Sequence, residues 1–187
     1  MVMRNSPTAY GAPARTLHWA SALLVASLFG LGLYMTRLDF SEWKVRVYSW
    51  HETIGVCVFV LTVARLAWRL YSPPPPLPPA PWIEHFAAHA THWFLYAALF
   101  VQPILGWLGS NAFGFPIMWF GIVPLPDPIG KNEELGRALL IAHSILGHAM
   151  LFAVLAHAGA ALFHHFVRRD SILTRMLPWA KPRGERY

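Results

Sequence analysis

Hydrophobic and polar positions alternate on a coarse scale in this chain, with long apolar runs broken by short charged stretches. Residues 17–35 carry no Asp, Glu, Lys or Arg, and neither do residues 85–126 or 138–167. A further apolar run around 48–70 holds Glu52 near its start and Arg65 and Arg69 near its end, where long side chains reach the interface. Runs of about eighteen or more apolar residues argue for membrane-spanning helices. The pattern predicts spans at 15–36, 48–70, 86–108 and 138–167, in one membrane domain covering 1–187. Between them, 37–49 reads as a charged loop and SPPPPLPPAP (72–81) as a stiff extended linker. Residues 111–137 read as a cap, interfacial or re-entrant over 111–126, with a kink expected at Pro103 and a frayed tail over 1–14.

Composition fits this picture. The chain is 56% hydrophobic and 13% charged, too little charge for a soluble domain of this length. The net charge of +6 would suggest nucleic acid in a soluble protein. Here the cations flank the spans and read as topology and lipid contact, with no nucleic-acid partner. Cys57 is the single cysteine, so no internal disulfide forms, and no C-x-x-C-H is present for covalent haem attachment. The first run has no small-residue cleavage site and is long enough to stay in the bilayer. Four spans put both termini on one side, with Arg4, Arg15, Arg65, Arg69, Arg168, Arg169, Arg175, Lys181, Arg183 and Arg186. The other side has Arg37, Lys44, Arg46, Lys131 and Arg137. The bias places both termini in the cytoplasm.

Ten histidines in such a chain need a reason, because polar groups in hydrocarbon are costly. His143 and His157 are fourteen residues apart in the last run, close to four helical turns, so they share a face and stand about 21 Å apart. Matched depth pairs His143 with His51 near one surface and His157 with His18 near the other. Four residues after each of these lies a small residue, Ala22, Gly55, Gly147 or Ala161, which leaves room beside a ligand. His85, His89, His92, His148, His164 and His165 have larger residues there. The pairs suit bis-histidine haem ligation, with His89 or His92 as alternatives to His18 or His157. Two separated pairs suit zinc less well than one cluster would.

These residues also carry a family resemblance. R-x-x-H-W opens the first span (Arg15, His18, Trp19), and H-x-x-x-G lies near the start of the second (His51, Gly55). A-R-L-x-x-R-L precedes the Pro-rich linker, and A-H-x-x-H-x-x-x-Y lies in the third span. His143, His157, His164 and His165 follow, and R-R-D-x-x-L-x-R-M-L-P runs from Arg168 to Pro178. The order resembles the prokaryotic cytochrome b561 family, and within it the superoxide oxidase type. The resemblance implies an all-α integral membrane four-helix bundle with two non-covalent b-type haems in the bacterial inner membrane. It implies His18 and His157 on a cytoplasmic haem and His51 and His143 on a periplasmic one. Electrons would pass from superoxide to ubiquinone, with His164 as a quinone contact.

On that reading Arg37, Lys44 and Arg46 steer the superoxide anion, with Lys131 and Arg137 nearby. Pairing with Asp39, Glu42, Asp127, Glu133 and Glu134, or plain solvation, is the competing role. His164, His165 and Glu84 are candidates for delivering the protons that quinone reduction consumes. A rival reading is a cytochrome b subunit exchanging electrons between quinol and a periplasmic redox partner such as a hydrogenase. A membrane scaffold without haem is a third.

Overall fold

The structure, a computed structural model, describes residues 3–177. Pro178, Lys181, Arg183 and Arg186, which entered the motif and charge readings, lie outside the described residues. Four long helices dominate: α1 (Ala12–Met35), α2 (Glu42–Tyr71), α3 (Trp82–Ala112) and α4 (Glu133–Phe163). Each is long and apolar enough to cross a membrane, α4 together with the π-helical turn His164–Arg168 that continues it. Only 6–17% of the residues in the most apolar window of each helix are buried within the chain. The apolar surface therefore faces outward, as a bilayer requires. The protein is an all-α, multi-pass membrane bundle.

α2 and α4 begin well before the apolar runs, because their polar first turns are capped. Ser41 accepts a hydrogen bond from the Lys44 amide at 3.3 Å, so α2 starts at Glu42 and absorbs much of the expected 37–49 loop. Asn132 accepts from the Leu135 amide at 3.1 Å, and Glu133 and Glu134 complement the helix dipole, so α4 starts five residues before 138. Pro103 lies inside α3, which runs on to Ala112.

α1 packs on α2, α3 on α4, and α2 on α3. Val25, Val58, Ala98, Leu99 and Met150 form the buried cluster, flanked by Leu28, Phe29, Leu95 and Val154. Met150 is midway between His143 and His157, so this cluster occupies the middle depth of the bundle. Between α3 and α4 the 111–137 segment forms a two-stranded antiparallel hairpin, β1 (Met118–Trp119) with β2 (Val123–Pro124). Its tip turns through Phe120 and Gly121, both at positive φ.

The opposite end of the bundle gathers three distant parts of the chain. The expected frayed tail is tied down over its described residues: Asn5 bonds Ser72 and the Pro73 carbonyl, and Arg4 bonds Tyr71. After the π turn, Arg169 adopts a left-handed conformation (φ 57°) and the chain folds back as α5 (Ile172–Met176). Arg175 donates to the Pro76 carbonyl at 2.9 Å, Trp19 to that of Met176 at 2.9 Å, and Arg15 to that of Leu177 at 3.2 Å. We call this the terminal end and the other the hairpin end.

Candidate functional site: two histidine pairs at opposite ends of the bundle

At the terminal end His18 of α1 faces His157 of α4, with ring centroids 6.2 Å apart and planes at 68°. At the hairpin end His51 of α2 faces His143 of α4, again at 6.2 Å, with planes at 69°. Each pair joins α4 to a helix on which it does not pack closely.

The rings are held differently. His143 Nδ1 lies 3.0 Å from the Gln102 carbonyl. A carbonyl only accepts, so Nδ1 carries the hydrogen and Nε2 keeps a lone pair for a metal. The Gln102 side chain returns a bond from Nε2 to the His143 carbonyl at 2.8 Å. Gly106, one turn on, leaves room for the ring: a Cβ there would stand 3.1 Å from His143 Cε1. His51 Nδ1 is buried and has no hydrogen-bond partner among the described residues. Gly32 faces its ring, where a Cβ would sit at an ordinary 3.5 Å. His18 Nδ1 lies 3.2 Å from Arg65 Nη2. A guanidinium only donates, so this nitrogen accepts.

The small residues beside the pairs do not all serve one purpose. A Cβ on Gly55 would meet nothing within 4 Å, so open space lies beside His51. At Gly147 a Cβ would meet Gln102 Nε2 at 3.0 Å. That glycine makes room for the Gln102 side chain, which corrects its reading as space for a ligand.

The other histidines are spread out. His92 of α3 lies against His157, with centroids 5.2 Å apart, and its Nδ1 donates to the Ala88 carbonyl at 2.7 Å. His85 bonds the Pro78 carbonyl, and His148 donates to that of Ser144. His89 is exposed. His164 opens the π turn, its Nδ1 2.5 Å from Asp170 Oδ2. His165 is its neighbour on that turn, and Glu84 is committed to Arg168 at 2.6 and 2.7 Å. Of the cations at the hairpin end, Lys44 donates to the Leu38 carbonyl at 2.7 Å. Arg37 and Arg46 are exposed and form no ion pair among the described residues, while Lys131 pairs with Glu133 at 3.3 Å.

The pattern of the prokaryotic cytochrome b561 family matches residues 9–179. The chain belongs to that family. It is 36% identical over 182 residues to cytochrome b561 homolog 2 of Escherichia coli (strain K12), covering 95% of each chain. It is 32% identical over 173 residues to a probable superoxide oxidase, CybB, of Yersinia pestis, covering 90% of this chain and 94% of that one. A cytochrome b562 of Cereibacter sphaeroides is 30% identical over 167 residues, covering 87% and 90%. Family membership carries membrane electron transfer and b-type haem.

The geometry fits that cofactor. With bonds of about 2 Å from iron to each nitrogen, and roughly 1.15 Å from nitrogen to ring centre, two imidazoles sharing one iron have centroids about 6.3 Å apart. Both pairs have this spacing. His92 and His157 are closer than one iron between them allows. Sequence reasoning missed Gln102 and Gly106, although their i, i+4 spacing put them on one face of α3.

Proposed function

We propose that the protein is a di-haem oxidoreductase of the bacterial inner membrane that takes electrons from superoxide and delivers them to ubiquinone. One observation carries this reading: two histidine pairs share α4, have the same 6.2 Å spacing, and stand four turns apart. His51 and His143 hold one haem, and His18 and His157 the other. When bound, the haems supply one-electron redox change near both membrane surfaces.

The remaining roles belong to the chain's own groups. Both termini lie in the cytoplasm and the hairpin end in the periplasm, as the balance of Lys and Arg between the two ends suggests. Arg37, Lys44 and Arg46 are near the His51–His143 end and raise the local concentration of the superoxide anion. Each superoxide gives up one electron and leaves as oxygen. Two such electrons and two protons convert ubiquinone to ubiquinol. At the terminal end the Asp170 carboxylate engages Nδ1 of His164 and leaves Nε2 to contact a quinone oxygen and pass a proton. The superoxide oxidase name of the Yersinia pestis relative supports this reading.

The hairpin favours a second one. Its tip exposes Phe120 and Ile122, and Phe115 just ahead of it is exposed too (63–77%), beside the His51–His143 end, a surface suited to a periplasmic redox partner. Adding superoxide to the purified protein, with and without a ubiquinone analogue, separates the two. Haem reduction by superoxide and turnover with quinone support the oxidase. Haem that ignores superoxide but accepts electrons from quinol moves the assignment to an electron-transfer subunit. A colourless protein refutes both.

A further inference from the structure

Arg65 is a cation placed where a membrane protein should not leave one alone. It lies six residues before the end of α2, about 9 Å inside the helix terminus, and is half-buried. A charged side chain at this depth either reaches the interface or meets a partner, because an unpaired charge in apolar surroundings is costly. The ionisable and charged groups around it are His18 on α1, Arg69 on α2, His92 and Tyr96 on α3, His157 on α4, and Tyr10 ahead of α1. None is a carboxylate. Glu84 and Asp170 are the carboxylates of the described residues at this end, and both are engaged, Glu84 by Arg168 and Asp170 by His164.

The guanidinium is nevertheless oriented. Its carbon stands 5.4 Å from the Tyr96 ring centroid, and that of Arg69, one turn on, stands 5.5 Å from the same ring. Its Nη2 reaches His18 Nδ1. That contact makes Nδ1 an acceptor and leaves the ring hydrogen on Nε2, a tautomer unsuited to offering Nε2 to a metal. Were Nε2 to hold iron, the hydrogen would sit on Nδ1, and Arg65 would keep its bond to the Tyr96 side chain but would have no anion to meet its charge. A b-type haem carries two propionate carboxylates on its edge.

We propose that Arg65 is the counter-charge for a propionate of the haem held by His18 and His157. The inference rests on the haem assignment above. Arg65 then acts as a positioning residue, exchanging His18 for a carboxylate as the haem enters and setting its orientation about the His–His axis.

The test uses the full-length protein freed of haem and titrated with either haem or its dimethyl ester, which lacks the carboxylate charge. Wild-type protein should bind haem at the His18 site about tenfold or more tightly than the ester. Arg65→Gln should bring that ratio close to one, and Arg65→Lys should restore part of it. The midpoint potential of that haem should fall in Arg65→Gln, because a positive charge that disfavoured the oxidised iron is gone, while the other haem keeps its potential. A ratio near one in the wild type, or a ratio unchanged in Arg65→Gln, overturns the proposal. If Arg65→Gln fails to fold, a wild-type ratio near one still overturns the proposal, and Arg65→Lys, which should lower the ratio by weakening haem and not the ester, takes its place as the variant. Loss of the haem assignment has a separate signature: wild-type protein that takes up no haem here, or a His18→Ala variant that keeps it.

Discussion

Gly106 and Gly32 face the two rings of the hairpin-end pair, and the space at each differs. A Cβ at 106 would stand 3.1 Å from His143 Cε1 and 3.2 Å from Nδ1. Unbonded carbons prefer about 3.5–4.0 Å, so a methyl group must push the ring by several tenths of an ångström. The ring cannot yield easily, because its Nδ1 is bound to the Gln102 carbonyl on the same helix. A Cβ at 32 meets His51 Cε1 at 3.5 Å and asks for no movement. Without haem only that hydrogen bond resists the displacement in Gly106→Ala, and the helix gains roughly 0.5–1 kcal/mol from the better helix former. With iron fixing the ring, overpacking costs about 1–3 kcal/mol. That cost weakens haem binding at this pair by about 5- to 150-fold, while Gly32→Ala stays within about twofold. The assay is haem transfer to excess apomyoglobin, followed optically. A Gly106→Ala protein that holds both haems as tightly as wild type, beside a Gly32→Ala protein that loses one, would refute the argument.

Other substitutions test other parts of the reading. His157→Ala should lower the haem content from two per chain to one, whereas His92→Leu should keep both, as measured by the pyridine haemochrome spectrum. Replacing Arg37, Lys44 and Arg46 together by Gln should slow haem reduction by superoxide by about tenfold at low ionic strength, with the rates converging as salt is raised; equal rates at low salt remove the steering role. Asn132→Ala should lower stability by about 0.5–2 kcal/mol through loss of the α4 cap, read as a lower thermal midpoint with an unchanged haem spectrum.

The parts of the fold visible in the sequence were those written in spacing within one segment. Fourteen residues between His143 and His157 fix a shared face and a separation, and matched depth then selects His51 and His18. The helical character of the charged turns ahead of two spans was not legible because hydropathy ignores capping: Ser41 and Asn132 extend α2 and α4 through them. The hairpin was missed because strands of two residues leave no alternation to detect. Gly147 was misread because a small residue signals room without saying for what, and Gln102 lies on another helix. The ties of Asn5 to Ser72 and of Arg15 to Leu177 join positions 67 and 162 residues apart, which no local pattern encodes.

Those long-range ties also set an order of assembly. The acceptors for Arg15 and Trp19 are the carbonyls of Leu177 and Met176, which are made after all four long helices. The packed helix pairs α1–α2, α2–α3 and α3–α4 can each form between neighbours in sequence as they enter the bilayer. The terminal end cannot close until α5 has been made. Until then the contacts of Arg15 and Trp19, the neighbours of His18 in sequence, are unmade, and that end of the bundle stays open while the helices pack.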